Sequence, residues 1–241
     1  MRCEKRLVLP NLYNCRDMGG VVGQDGRLFL HHKLYRSDVP DQLTKDEWQQ
    51  LYQRGIRTVI DLRSLAECEQ MNYQPPQGIR RICMPMQQSQ IQTEQGDLER
   101  VANTALMQSL IQVYDKILFE NLPQIADILR VILEQTDRGG ILFHCSLGKD
   151  RTGVLAAVLY CLCGVADVDI VADYQVSQTY IQASPRIQTL FSQKAQGLLK
   201  SQPDTMQNLL QTIHKQGIAH CLGQVGFSIN DQQALRQKLL E

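Results

Sequence analysis

The chain has 241 residues, 43% of them apolar and 21% charged, which suffices for a large buried core and excludes the low-hydrophobicity pattern of disorder. Twenty-five Lys and Arg balance twenty-five Asp and Glu, so no global field attracts nucleic acid or an anionic membrane, and any anion site must be local. Eight cysteines in so long a chain exclude a small disulfide scaffold and point to a reducing, cytoplasmic setting.

The first ten residues carry charge, but their apolar segment is too brief for a Sec-type signal; export by another route stays open. Gly19-Gly20, then Asp25-Gly26 between Val21-Val22 and Leu28-Phe29-Leu30, predict a hairpin. His31-His32 has no companions at metal-ligand spacing and reads as solvent-exposed. Leu34-Tyr35-Arg36-Ser37 is a strand end. Thr44 caps a helix over 45–54 that carries Trp48, Leu51 and Tyr52 at helical spacing and stops at Gly55. A buried strand over 58–62 follows, then a short polar helix near 66–70, a turn at Pro75-Pro76, and a β-rich run over 80–84 halted by Pro85.

Residues 87–103 are polar, rich in glutamine and without periodicity, as expected of a long surface connection. Leu106, Leu110, Val113, Ile117 and Leu118 mark an amphipathic helix, and a second has Pro123 in its first turn and runs through Ile132. Gly139-Gly140 introduces a strand, Ile141-Leu142-Phe143. The uncharged stretch over 154–166 is shorter than the roughly 20 residues a membrane span needs and reads as a core helix. From Asp167 the chain is mostly helical, with breaks near Pro185, Pro203 and Gly223. Strands alternating with helices predict an α/β fold with a mainly parallel central sheet flanked by helices, the N-terminal hairpin as its antiparallel edge.

The chemistry converges on Ile141-Leu142-Phe143-His144-Cys145-Ser146-Leu147-Gly148-Lys149-Asp150-Arg151-Thr152-Gly153, a buried strand, a tight loop and a helix from about 151 to 163. Such a junction is an anion site, because the helix start offers unpaired N–H groups and the positive end of its dipole. Cys145 at the head of the loop is thereby favoured as thiolate. Arg151, six residues on, can turn a bidentate guanidinium toward an anion held above the sulfur, as a phosphoryl group requires. The phosphate-binding stretch is Ser146, Leu147, Gly148, Lys149, Asp150 and Arg151, with Gly148 free to adopt backbone angles closed to bulkier residues. Thr152 can donate a hydrogen bond to the sulfur, and His144 orients it. A nucleotide-binding loop fails: Phe143 stands where that motif needs glycine, and Asp150 where a Ser or Thr would hold magnesium.

The string His-Cys-x-x-Gly-Lys-Asp-Arg-Thr-Gly resembles the signature of the cysteine-dependent protein tyrosine phosphatases. Its Lys149-Asp150 pair resembles the atypical bacterial tyrosine and dual-specificity phosphatases, some of which also hydrolyse phosphoinositides. Asn14-Cys15-Arg16-Asp17-Met18-Gly19-Gly20 and Thr58-Val59-Ile60-Asp61-Leu62-Arg63-Ser64 fit the same family, with Leu34 to Ser37 between them. The resemblance covers roughly residues 10–180, with the C-terminal helices only loosely matched, and implies a tyrosine-phosphatase-like fold; the expectation is a single domain over 1–241, with a catalytic core over about 10–180 and a helical extension over about 181–241. It implies no cofactor and no metal. The expected partner is a phosphorylated protein or a phosphoinositide, without nucleic acid or stable membrane insertion.

By that resemblance Asn14, Arg16 and Asp17 border the pocket, and Asp150 is the general acid with Asp61 second, since Trp48 belongs to no Trp-Pro-Asp loop. Asp61 and Arg63 equally read as a charged pair tying a strand end to a neighbouring loop. Lys149 either balances Asp150 or adds a second cation for polyanionic substrates. The expected activity is hydrolysis of phosphotyrosine, with dual specificity, through a cysteinyl-phosphate. The rivals are a phosphoinositide phosphatase, a non-catalytic phospho-ligand module, and another thiolate-loop enzyme such as a sulfurtransferase or arsenate reductase.

Overall fold

Capping residues and apolar runs punctuate the chain much as read above. The computed structural model describes residues 4–87, 103–190 and 200–241. The surface connection expected over 87–103 falls almost wholly outside them. In chain order the elements are β1 (Arg16–Asp17), β2 (Leu34–Ser37), α1 (Lys45–Gln53), β3 (Ile56–Asp61), α2 (Leu65–Gln70) and β4 (Arg80–Cys83), then α3 (Asn103–Glu120), α4 (Leu122–Gln135), β5 (Gly140–His144) and α5 (Asp150–Leu162). There follow α6 (Asp167–Gln182), α7 (Pro185–Leu190), α8 (Pro203–Gln216), α9 (Ile218–Gln224) and α10 (Ile229–Leu239). Thr44 and Ser64 start α1 and α2 with capping boxes, each closed by a Glu three residues on, Glu47 and Glu67.

The strands form one sheet in the order β1-β2-β5-β3-β4, parallel except for the β1–β2 pair. The expected antiparallel edge is present but is made by Arg16–Asp17, not by the Asp25-Gly26 hairpin. That turn holds a single Val22–Leu28 bridge beside the sheet, because its tip winds into a short 3₁₀ turn over Gln24–Gly26. β5 is central and buried on both faces, as its continuous apolar run requires. Ile141 and Phe143 face one cluster with the inner faces of α4 and α5; Leu142 faces a second with Trp48, Val59 and Tyr35. Ser37 and Asp61 both pair with His144, so β2, β5 and β3 end level. Crevices beyond such carboxyl ends are where ligands bind in parallel sheets.

The C-terminal helices are continuous with this interior: Leu209, Ile213, Leu222, Phe227 and Leu235 lie in the same cluster as Phe143 and Leu155. Pro185 and Pro203 begin helices as expected, and α9 ends at Gln224, one residue past Gly223; a further break comes at Gly217, in the left-handed conformation at φ 69°. Among the described residues no helix is long and apolar enough to cross a membrane. Phe227 is fully buried, so Phe227→Ala should cost about 3–5 kcal/mol. Because it shares the central core, urea unfolding followed by far-UV circular dichroism should show one cooperative transition at a lower midpoint; two transitions would separate the C-terminal helices from the sheet.

Candidate active site

The loop between β5 and α5 is held by its carbonyl groups. His144 Nδ1 donates to the carbonyl of Cys145 at 2.8 Å, and the backbone N–H of Val39 to that of Ser146 at 3.1 Å. Asn14 Nδ2 donates to Leu147 at 3.0 Å and to Gly148 at 3.1 Å, and Arg36 donates to Gly148 at 2.8 Å. No described peptide bond is cis, and in a planar trans peptide the N–H points opposite the preceding C=O. Four consecutive carbonyls captured outside therefore direct the N–H groups of Ser146, Leu147, Gly148 and Lys149 to the inner side of the loop. Gly148 is at φ 67°, and a Cβ there would stand 2.1 Å from the carbonyl oxygen of Ser37, so only glycine lets the loop lie against β2.

Apart from the half-buried Asp38, the brace behind the loop is buried. Asp38 accepts from the N–H groups of Tyr13 at 3.1 Å and Asn14 at 2.9 Å, seating Asn14 under the loop. Arg16 donates to Asn14 Oδ1 at 2.6 Å and to Asp173 of α6 at 2.8 Å, and Asp173 also accepts from Arg36 at 2.7 Å. These two guanidinium groups hold the Asp173 carboxyl well below the usual carboxylate range despite its burial. Burial pushes Asp38, which lines the cavity, up to about 6.

Inside the loop is a cavity of about 490 Å³ lined by Cys145, Ser146, Leu147, Asp150 and Arg151, by Glu67 and Met71, by Tyr13 and Asp38, and by Ser184, Pro185 and Arg186. Glu67 grips both terminal nitrogens of Arg151 at 2.6 Å and accepts from Ser146 Oγ at 2.7 Å. Burial raises the carboxyl's pKa, but the hydrogen bonds of Arg151 and Ser146 outweigh it and bring it to about 2. Arg151 Nε is buried without a hydrogen-bond partner. An oxyanion above Cys145 would satisfy it.

Asp150 Oδ1 accepts from Tyr114 at 2.6 Å, and Tyr114 touches the hydroxyl of Tyr174 at 2.8 Å. Burial keeps Tyr114 protonated, so it is a permanent donor to Asp150. Behind Cys145, His144 Nε2 lies 2.6 Å from the Tyr73 hydroxyl, which burial also keeps protonated. Since the Cys145 carbonyl can only accept, the proton belongs on Nδ1 and Nε2 accepts from Tyr73. Burial lowers the imidazole to about 4, so His144 is neutral near pH 7.

A tyrosine phosphatase family matches residues 7–241, nearly the whole chain. The chain belongs to that family. It is 30% identical over 172 residues to a provisionally named tyrosine-protein phosphatase of Cupriavidus necator, covering 70% of this chain and 61% of the relative. A tyrosine-protein phosphatase of Nostoc commune is 34% identical over 155 residues, 60% of this chain and 48% of the relative. The matched stretch thus spans about half to three fifths of these relatives. A Pseudomonas aeruginosa TpbA variant solved with phosphotyrosine aligns at TM-score 0.38 and 16% identity, over 77% of this chain and 91% of its own.

Several expected residues of this tyrosine phosphatase family member stand elsewhere than the sequence implied. Asn14 and Arg16 do not border the cavity; they brace the loop from behind. Asp17 is further off, binding the N–H groups of Gly19 at 2.8 Å and His32 at 2.9 Å, so His31 and His32 pack half-buried about it rather than standing fully exposed. Asp61 is fully buried between Arg63 and Arg81, each at 2.8 Å, and these cations hold it ionised, which removes it as a general acid. Arg63 anchors α2 through the carbonyls of Glu67 and Met71. Lys149 is buried, donates to the Lys200 carbonyl at 3.3 Å and lies 3.5 Å from Asp150, so it is no cation at the mouth. The Thr152 hydroxyl is buried without a partner and does not donate to the sulfur here.

Glu67, Arg36, Asp173, Tyr73 and Tyr114 were not foreseen. Arg36 lay in the Leu34–Ser37 segment noted above, and Glu67 in the Ser64-x-x-Glu67 capping box, which fixes it in the first turn of α2. A neutral His144 predicts a titration: by NMR its ring should take up a proton only near pH 4, whereas an unfolded histidine does so near 6.5. The unfolded chain then binds the extra proton between those values, and this group makes folding less stable as pH falls from about 6.5 to 4. A protonated His144 at pH 6 would refute the hydrogen-bond assignment.

Proposed function

We propose that this chain hydrolyses phosphotyrosine in proteins, with 1–241 acting as one phosphatase domain. The observation that carries the reading is the loop around Cys145, with four carbonyls drawn outward and Arg151 clamped by Glu67 with its Nε unpaired. The names of the relatives from Nostoc commune and Cupriavidus necator support it.

In the proposed reaction the Cys145 thiolate attacks phosphorus in line and the aryl oxygen leaves, giving a cysteinyl-phosphate and a phenol. The amides of Ser146 to Lys149 and the guanidinium of Arg151 bind the three equatorial oxygens, a preorganised field that strengthens as charge spreads. Asp150 gives the departing oxygen its proton from Oδ2, Tyr114 holding Oδ1. Water, deprotonated by the same carboxylate, then attacks phosphorus, releasing phosphate and the thiolate. His144 keeps the Cys145 carbonyl turned away, and Ser146 ties the loop to Glu67. The engagement of Lys149 with the Lys200 carbonyl speaks against a second free cation for phosphoinositides.

Cys145→Ser should cut turnover of a phosphotyrosine peptide by a factor on the order of 10⁵ while leaving its binding measurable by calorimetry. Residual hydrolysis near the parent rate, or turnover of thiosulfate or arsenate in place of the peptide, would overturn the reading. Asp150→Asn should slow the phosphotyrosine peptide by about 10²- to 10⁴-fold, yet p-nitrophenyl phosphate by less than about tenfold, since nitrophenolate leaves without a proton. Equal losses on both would deny Asp150 the role of acid.

A further inference from the structure

Behind the cavity, α2 and the ends of β3 and β4 gather a second group of reactive atoms. A carboxylate oxygen of Asp61 and the sulfurs of Cys68 and Cys83 all lie within 4.8 Å of one another. Cys83 is exposed and Cys68 buried. Such a trio could in principle hold a soft metal ion. Here Asp61 Oδ2 is already taken by Arg63 and Arg81, each at 2.8 Å, so a dication would lose its carboxylate ligand and sit beside two guanidinium groups. What is left is a pair of neighbouring thiols, Cys83 exposed and Cys68 buried with its Sγ donating to Asp61 Oδ2 at 3.6 Å, close enough for oxidation to join them.

We propose that Cys68 and Cys83 are a dithiol that hydrogen peroxide closes into a disulfide, and that closure loosens the hold of Glu67 on Arg151. The first half is independent of the phosphatase reading; the second rests on it. Peroxide meets the exposed sulfur first: the Cys83 thiol is oxidised to a sulfenic acid as the O–O bond breaks, and one water is released. The Cys68 sulfur then attacks that sulfur, the S–O bond breaks, and a second water leaves. Two thiols have lost two electrons and two protons, and the peroxide has taken them up. Burial raises the Cys68 pKa, so it remains a thiol until its proton leaves with the departing hydroxide as the S–S bond forms.

On the sheet side of this pair, Cys83 is the last residue of β4. Cys83 is paired in parallel register with Asp61, and Met84 N–H donates to the Asp61 carbonyl at 2.8 Å. Opposite is α2, a helix of six residues that carries Cys68, so drawing sulfurs up to 4.8 Å apart into a bond of about 2 Å pulls on α2 beyond what rotation of the two side chains takes up. Glu67 is the residue next to Cys68. Its contacts with Arg151 at 2.6 Å and with Ser146 at 2.7 Å weaken steeply with a shift of an ångström or so. The mark is thus written outside the cavity and felt at the arginine inside it.

The test uses the full chain carrying Cys145→Ser, so that the loop sulfur consumes no oxidant. After hydrogen peroxide, unreduced protein is digested with trypsin, which cuts at Arg63, Arg80 and Arg81 and releases Cys68 and Cys83 on separate peptides. The expected mass spectrum shows those peptides joined, parted by dithiothreitol, and never joined when Cys83→Ser is added; absence of the joined species overturns the pair. Tungstate titration of the same samples should give about tenfold weaker binding after oxidation, and no change in the Cys83→Ser protein. Joined peptides with unaltered tungstate affinity overturn the coupling to Arg151. Zinc retained in stoichiometric amount and blocking the bond overturns the dithiol in favour of a metal. Reduced Cys145→Ser protein that fails to bind tungstate at all counts against the phosphatase reading instead, and the peptide map still decides the pair.

Discussion

Capture of the loop's carbonyl oxygens is the constraint on which the rest of the site depends. A peptide unit cannot turn its C=O one way without turning the following N–H the other, so a bowl of inward amides is built by bonding to the outside of the loop. The donors come from scattered places: the side chain of His144, the backbone of Val39, Asn14 ahead of β1 and Arg36 in β2. Gly148 permits the close approach to β2 that brings Arg36 within reach. The arrangement costs nothing at the moment of reaction, because the dipoles are oriented when the chain folds.

Maintaining that brace requires buried charge. Asp173 lies between Arg16 and Arg36, all nearly inaccessible, and removal of one partner from such a group leaves an uncompensated ion worth about 3–5 kcal/mol. An apolar replacement of similar size would pack as well, but it could not present a donor to the Gly148 carbonyl. The same helix, α6, supplies Tyr174, whose hydroxyl meets Tyr114 above Asp150. One helix thereby backs both the amide bowl and the residue proposed as acid.

The protonation pattern around the loop is set by which groups have partners. Glu67 remains ionised down to about 2 because Arg151 and Ser146 bind it, His144 remains neutral down to about 4 because it is buried, and Tyr73 and Tyr114 keep their protons for the same reason. Across the pH range in which enzymes work, the clamp on Arg151 and the tautomer of His144 do not change. Asp61, though buried among cations at the end of β3, serves the sheet and α2; its effect on the cavity passes through the helix that carries Glu67.

Local chemistry was legible in the amino-acid sequence. The alternation of apolar runs and capped helices announced an α/β sheet, and the contiguous segment from Ile141 to Gly153 announced an anion loop with its sulfur and arginine, because a strand, a turn and a helix start are each specified by near neighbours. Even Glu67 stood in a readable capping box. Which distant groups would meet was not legible. That Arg16–Asp17 would supply the antiparallel edge, that Asn14 and Arg36 would face the back of the loop, that Lys149 would turn to Lys200, and that Asp173 would bind two arginines all depend on packing between segments up to about 160 residues apart. A polar side chain's sequence neighbours tell which bonds it is able to make; only the folded chain decides which of them burial makes obligatory.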